Sequence, residues 1–399
     1  MNPRLLILTL YYPPDLSACS FRAVALVEAL RKAAPGLVID VITSVPNRYQ
    51  SFRSFTTGAA EVVHDGMANI RRLPMPAHRS DMITQAASYA RFAWRAARVA
   101  SEKDYDLVFA TSSRLMTAAL GSWVSRRSGT PLYLDVRDLF VDTMADILPR
   151  RAAVIVGPIS SVVEKWTMRR ASHINVVSPG FESYFQRRYP RIPLSFFTNG
   201  IDDEFVRPVG DPRRAIVGRP ATIVYAGNIG EGQGLHAIVP QLASRLAGRA
   251  SFRLIGDGGR RSQLVSALES AGVSNVELLP PMSREKLIDE YLAADALFLH
   301  LNDHQAFTRV LPSKIFEYAA VGKPILAGVA GYAEEFLRAE VSNAAVFPPC
   351  DVDAGVHAWG TLHLGAMPRE GFVEKFARTS IMYGFAADIL RHLPARTDP

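Results

Sequence analysis

Cysteine is scarce: Cys19 and Cys350 are the only two in 399 residues, far apart and without metal-ligand spacing. That usage excludes a disulfide framework and a cysteine-held zinc site, and it fits a reducing compartment. Long apolar runs are missing too. No stretch reaches the roughly 18–20 uninterrupted apolar residues that span a bilayer. The first run, Leu5–Leu10, is too short for a signal-peptide core and no small-residue cleavage site follows it. It reads as a first strand, and a cytoplasmic location is expected. Lysine is rare, seven against thirty-eight arginines, and the net charge of +7 is spread along the chain. The bias suits anionic partners without separating phosphates, nucleic acid and membrane, and genomic base composition would also enrich arginine. Nucleic-acid binding is the weakest of these readings, because the basic residues are not interleaved with aromatics on one recognisable module. Internal repeats and low-complexity tracts are lacking as well. What remains is 48% hydrophobic and 21% charged, an ordinary globular composition at a length that suits two domains.

Short apolar runs alternate with helix-length amphipathic segments. Leu5–Leu10, Val38–Thr43, Leu107–Thr111, Leu132–Val136 and Ile174–Val177 read as buried strands, with helices over Phe21–Lys32, Ala86–Lys103 and Leu115–Ser128. The pattern restarts with Ile223–Ala226, Phe252–Ile255, Val276–Leu279, Ala296–Leu299, Pro324–Ala327 and Ala345–Phe347. Strands alternating with helices predict parallel sheets covered on both faces, and two such series predict two doubly wound α/β domains. The seam is expected near Thr198–Pro220, where Asn199-Gly200, Pro208, Gly210, Pro212 and Gly218-Arg219-Pro220 interrupt the periodicity. We divide the chain into 1–195, 196–372 and a last helical stretch, 373–399, expected to cross back to the first domain.

Three segments of the second half follow strands, where open parallel sheets bind ligands. Tyr225 to Gly234 holds four glycines, which let backbone N–H groups approach a phosphate. It is not the dinucleotide fingerprint, since Leu235 stands at the third glycine position. Gly256-Asp257-Gly258-Gly259 fails in the same way at Arg261. Both read equally well as tight turns. The third segment is Pro312-Ser313-Lys314-Ile315-Phe316-Glu317-Tyr318. Ser313 is placed to cap a helix and leave its first-turn N–H groups available, with Lys314 adding a point charge at the same end. Glu317 follows one turn later on roughly the same face, where it could accept hydrogen bonds from a ribose diol; plain capping and solvation would use the same residues.

In this order, Asn199-Gly200-Ile201-Asp202, Gly227-Asn228-Ile229-Gly230 with Gln233-Gly234, Gly256-Asp257-Gly258 and Pro312 to Tyr318 resemble a retaining glycosyltransferase of family four. The resemblance runs over the whole chain and is strongest over 195–350. It is nearest to the bacterial branch that builds O-antigen, capsule or other exopolysaccharide, the N-acetylfucosaminyl transferases included. It implies the GT-B fold, two Rossmann-like domains facing across a cleft, and a nucleotide-diphosphate sugar, UDP-linked by preference, held by the second domain. Carried over, Glu317 is the second Glu of the family's E-x7-E motif and holds the ribose. Ser313, Lys314 and the backbone at Gly230 hold the diphosphate. Gly227, Gly256 and Asp257 lie by the nucleotide, Leu279-Pro280-Pro281-Met282 along the base, and Leu311 on the donor side. Three positions depart. Asn228 and Gln233 replace the usual Arg and Lys, as in the exopolysaccharide branch. Arg309 replaces the first Glu of E-x7-E, which implies unusual contacts to the diphosphate or to an acidic or acylated sugar.

The first half offers Ser17 and Arg22 after strand one, with Ala18-Cys19 where the family commonly has two glycines, and Asp135-Val136-Arg137-Asp138 after a buried strand. The resemblance puts these on the acceptor side, with Asp138 orienting the acceptor hydroxyl and Arg137 stabilising the loop or a phosphate. A mutual salt bridge fastening the loop is the structural alternative. Asp138, Arg309 and Glu317 are the catalytic candidates. Retaining transfer lets the leaving diphosphate take the proton, so no protein base is required. No cofactor or metal is called for: Asp351-Val352-Asp353 lies beyond the donor motifs, and His173 and His300 have no ligand spacing. Segments 78–103 and 144–172 place Arg91, Arg95 and Arg98 beside Tyr89, Phe92, Trp94 and Val99. They place Arg150, Arg151, Lys165, Arg169 and Arg170 beside Ile155, Ile159, Val163 and Trp166. Basic amphipathic helices suit the inner face of a membrane, where a glycan on a polyprenyl diphosphate would be the acceptor. The competing readings are a sugar-nucleotide-binding partner without catalysis, which the Arg309 replacement favours, and a sugar-nucleotide epimerase of the same fold acting without an acceptor.

Overall fold

A computed structural model of the chain describes residues 2–15, 17–45, 61–64, 66, 68–75, 82–112, 115–148, 150–206 and 218–394. Pro208, Gly210 and Pro212 of the expected seam, the start of segment 78–103 and the end of 373–399 lie outside these residues. The chain forms two units, Met1–Asn199 with Arg378–Pro399, and Gly200–Ala377.

Unit one has eight strands: β1 (Arg4–Leu8), β2 (Val38–Ser44), β3 (Glu61–His64), β4 (Asn69–Leu73), β5 (Leu107–Thr111), β6 (Leu132–Val136), β7 (His173–Val176) and β8 (Leu194–Ser195). Their order is β3-β4-β2-β1-β5-β6-β7-β8, parallel throughout except for the β3–β4 pairing. The helices are α1 (Ala18–Ala33), α2 (Met82–Ala100), α3 (Leu115–Ser128), α4 (Phe140–Ile147), α5 (Arg150–Met168) and α6 (Glu182–Arg188). The central strands β5, β6 and β7 are buried along their whole length, which is why they read as unbroken apolar runs and not as alternations.

Unit two carries β9 (Ala221–Ala226), β10 (Ala250–Ile255), β11 (Val276–Leu279), β12 (Ala296–His300), β13 (Ile325–Gly328) and β14 (Ala344–Phe347) in the order β11-β10-β9-β12-β13-β14, all parallel. Its helices are α7 (Leu235–Arg245), α8 (Arg261–Ser270), α9 (Arg284–Ala293), α10 (Lys314–Ala320), α11 (Tyr332–Glu340), α12 (Val352–Thr361) and α13 (Glu370–Lys375). The last helix, α14 (Arg378–Leu390), belongs to unit one. There it packs on α1 and buries Met382, Phe385, Ala386 and Ile389 in the core that holds Leu5, Ile7 and Phe109. Each sheet reverses its strand order at one point, between β1 and β5 in unit one and between β9 and β12 in unit two, the places where such sheets open a crevice at their carboxyl ends.

Three expectations change. The β3–β4 pair and the two-residue β8 were not foreseen, being short or lacking an apolar run. The helix expected over 373–390 is two helices, because Phe376 gives its carbonyl to the Ile201 N–H at 2.8 Å and Ala377 bridges Ile201. Segment 144–172 also divides, with Leu148 extended between α4 and α5, as a residue preceding proline tends to be. No helix among the described residues is long and apolar enough to cross a membrane.

Candidate functional site

In unit two the site begins where β9 and β10 end. Gly227 and Gly256 have φ of 144° and 148°, a region closed to residues with a Cβ. A Cβ on Gly256 would run into the Gly227 carbonyl, and one on Gly227 into the Lys314 side chain. Backbone bonds tie the two loops, Gly227 N–H to the Ile255 carbonyl at 2.8 Å and Ile229 N–H to the Asp257 carbonyl at 2.9 Å. The glycines thus let two strand-end loops lie backbone against backbone beneath a lysine. The Lys314 ammonium stands 5.6 Å from the Tyr225 ring centroid. Tyr225 is itself fixed by donating its hydroxyl proton to the Asn228 carbonyl at 2.6 Å. The result is a half-buried cation above a glycine-lined backbone at the β9–β12 reversal, an arrangement suited to a diphosphate.

The loop after β9 is held from β12. His300, at the carboxyl end of β12, donates from Nδ1 to the Gln233 carbonyl at 2.7 Å and accepts at Nε2 from the Cys350 N–H at 3.0 Å. Burial pulls its pKa down to about 4, and the neutral ring can satisfy both partners in one tautomer only. Asn302 Nδ2 donates to the Glu231 carbonyl at 3.0 Å, while the Arg260 guanidinium pairs with the Glu231 carboxylate at 2.5 Å. Sequence reasoning gave His300 no role and did not single out Asn302 or Glu231. Only Asn302 left a trace, as a polar residue just beyond a buried strand.

The remaining donor candidates divide. Asn228 Nδ2 donates to Gln233 Oε1 at 2.9 Å, so the pair braces the loop from within. Gly230 precedes the single turn of 3-10 helix Glu231–Gln233. Asp257 is exposed, its carboxylate accepting from Gly258 N–H. Pro280 is exposed and Met282 half-buried beyond β11. Arg309, closing the 3-10 turn Gln305–Arg309, and Glu317 in the first turn of α10 are both half-buried. Two expectations are corrected. Ser313 stands at the α10 N-cap with helical backbone angles and no side-chain cap bond, since capping needs an extended residue. The N–H groups of Ile315 and Phe316 already donate to the Pro312 and Ser313 carbonyls, so the positive charge here comes from the Lys314 side chain. Leu311 is buried and belongs to the packing beneath the site.

The first-half cluster is taken apart more thoroughly. Arg22, expected on the acceptor side, is fully buried: its guanidinium pairs with both Asp135 oxygens at 3.1 Å and donates to the Phe197 and Thr198 carbonyls at 2.7 and 2.5 Å. Burial pushes the Arg22 pKa down while Asp135 draws it back up. Asp135 also accepts from Asn175 Nδ2 at 2.7 Å. Arg137, buried too, turns to Asn199 Oδ1 at 3.1 Å, so the mutual Asp-Arg bridge within the loop does not form. Ser17 is the α1 N-cap, accepting from Ser20 N–H at 3.2 Å. Charges this deep are matched because an unmatched one costs several kcal/mol. Of the five acceptor-side candidates only Asp138 is open to solvent. Protein nevertheless crowds it, and that desolvation raises its pKa to about 6 against the opposing pull of Arg137. The carboxylate is ionised at neutral pH. Asp351 caps α12 and Asp353 pairs with Arg245, so the late Asp-x-Asp is accounted for structurally.

Residues 19–200 match the family described as glycosyl transferase 4-like domain, and residues 210–361 the family described as glycosyl transferases group 1. The chain is 22% identical over 348 residues to the putative colanic acid biosynthesis glycosyl transferase WcaI of Escherichia coli K12, covering 83% of this chain and 84% of that one. Among solved structures, sucrose-phosphate synthase of Thermosynechococcus elongatus superposes with a TM-score of 0.75 at 18% identity, over 98% of this chain and 99% of that one. HepE of Anabaena, solved with UDP-glucose, gives 0.65 at 15% identity, over 98% and 100%. At these identities the structural likeness is one of fold.

Proposed function

Because the chain belongs to the GT-B glycosyltransferases of family four, we propose that it moves a sugar from a nucleoside-diphosphate donor, UDP-linked by preference, onto a lipid-linked glycan with retention at the anomeric carbon. The observation that carries this is the Lys314 ammonium poised over the Gly227 backbone at the strand reversal of unit two. HepE supports it as a fold relative solved with UDP-glucose, and WcaI by its colanic acid assignment; an O-antigen, capsule or related polysaccharide is the product class we infer.

In this reading Lys314 offsets the charge that builds on the diphosphate as the glycosidic bond breaks, where a fixed cation is worth most. Glu317 holds the ribose, and Arg309 reaches the diphosphate or an acidic or acylated sugar. Asp138 orients the acceptor hydroxyl, whose proton passes to the leaving diphosphate. No metal or cofactor is assigned a step. Titration calorimetry with UDP, GDP and their sugars tests the reading. One nucleotide should bind, with affinity falling roughly 10–100-fold in Lys314→Ala and Glu317→Ala, the loss of one hydrogen bond to a charged group. Arg309→Ala should weaken the donor sugar more than the bare nucleotide. Absence of binding by every nucleotide would overturn the donor site.

A further inference from the structure

Three helices of unit one share an unusual surface. Right-handed crossovers toward β5, β6 and β7 place α2, α3 and α5 on one side of the sheet, where α3 packs against both neighbours. Their outer layer is apolar where a soluble helix is normally polar: Trp94 is 65% exposed, Ile155 65%, Ile159 60% and Val162 68%, with Trp123 and Trp166 beside them. Residues 155, 159, 162 and 166 recur at helical spacing, so they form one stripe along α5. Three of the four tryptophans of the chain lie on this layer, and the fourth, Trp359, is buried in unit two. Tyr89 and Phe92 of α2 are core residues, so the outward aromatic of that helix is Trp94 alone.

The charge is as one-sided as the apolarity. The three helices contain eight basic residues and a single acidic one, Glu164. Glu164 faces inward, accepting from the Tyr184 and Tyr189 hydroxyls. Among the described residues of the three helices no carboxylate is exposed, although the chain has 38 acidic residues in all. The cations flank the apolar groups: the Arg126 guanidinium lies 4.9 Å from the Trp166 ring centroid and that of Arg127 lies 5.6 Å from Trp123. A protein partner that covered this much apolar area would also have to supply acidic groups all round its rim. A leaflet of anionic lipid offers both in one surface, with tryptophans at headgroup level and arginines beside phosphates.

We propose that the outer layer of α2, α3 and α5 is the docking surface of this protein on an anionic lipid leaflet. The proposal deepens the reading of a lipid-linked acceptor, but it is tested without turnover, so the two can fail separately. The full-length protein is floated with vesicles of phosphatidylcholine alone or mixed with phosphatidylglycerol, and tryptophan fluorescence is read with brominated lipid present. The expected result is binding to the mixed vesicles only, reversed by salt, with most of the emission quenched. Arg95→Gln with Arg98→Gln should lower partition by roughly 30-fold, about 1 kcal/mol per basic residue. Ile155→Glu with Ile159→Glu should abolish binding while leaving the melting temperature unchanged, since both side chains are already exposed. Equal binding to neutral vesicles, absence of binding, unquenched tryptophans, or a solution dimer dispersed by the Ile155/Ile159 pair would overturn the proposal.

Discussion

Single residues in this chain owe their roles to partners that the sequence does not reveal. Gly256 follows a strand and is flanked by Asp257 and Gly258, so it reads as part of a phosphate loop or as a turn. The structure gives it a different task, making room for the Gly227 carbonyl. Asp135 and Asp138 are three positions apart in one motif, yet one is locked to Arg22 inside the fold and the other meets solvent. The raised pKa of Asp138 has a consequence of definite sign. The folded protein holds that proton more tightly than the unfolded chain, so the group's contribution to stability falls as pH rises from 3.8 through about 6. Asp138→Asn should therefore raise the melting temperature at pH 7, with the gain shrinking as the pH is taken down through that window. If the ionised carboxylate orients the acceptor, kcat/KM should climb with pH through about 6, and the variant should lose both that limb and most of its rate. A variant with wild-type kcat and an unchanged profile would remove Asp138 from the reaction.

Elements were legible to the extent that one physical signal set them. Buried parallel strands announce themselves as apolar runs, and the strand series of both sheets was visible for that reason. Short strands at and next to a sheet edge pair through the backbone, and β3, β4 and β8 carried no such signal. The break between α13 and α14 comes from Ile201, more than 170 positions upstream, taking a carbonyl out of the helix. Attachment of α14 is an element-scale property. Phe385 is fully buried, its ring 5.0 Å from that of Phe197 and 5.9 Å from that of Phe109, with the Arg22 guanidinium 4.9 Å away. Phe385→Ala should cost about 3–5 kcal/mol, the usual price of emptying an aromatic site. Urea unfolding with protease sensitivity near the C-terminus measures it, and an unshifted midpoint would show that α14 does not close this core. Further along α14, Asp388 accepts from Tyr133 and faces His173 at 3.4 Å. Burial works to raise the Asp388 pKa, but Tyr133, Arg391 and His173 outweigh it and hold it below the usual carboxylate range. That contribution is complete above the ordinary carboxylate pKa and is lost as pH falls further.

At the scale of the whole molecule, each unit closes its own sheet and its own core. Unit two is also tied at its ends, where Ile201 and Ala377 pair. Residues 200–377 should therefore fold when produced alone and keep the nucleotide affinity of the full chain, because Gly227, Gly256, His300, Lys314 and Glu317 all lie within them. Calorimetry with the fragment checks this. A folded fragment unable to bind the nucleotide that the full chain binds would move part of the donor site into unit one. The first unit is different in kind, since it needs α14 from the far end of the chain and cannot be cut as one continuous piece.

The sequence by itself determined the alternation of strands and helices, the two sheets and the order of the glycine and lysine motifs, because period, turn chemistry and apolar runs act over a few residues and leave a local trace. Tertiary structure alone decided which charges are spent inside the fold. Arg22 and Asp135 are 113 positions apart, His300 and Gln233 are 67 apart, and Tyr133 and Asp388 are 255 apart. No local pattern encodes such a pair, since it exists only once the elements have packed and the cost of burying each polar group has selected its partner. The outer layer of α2, α3 and α5 needed both. Its residues were countable from the start, but only packing showed that Phe92 points inward while Trp94, Ile155 and Ile159 face solvent together.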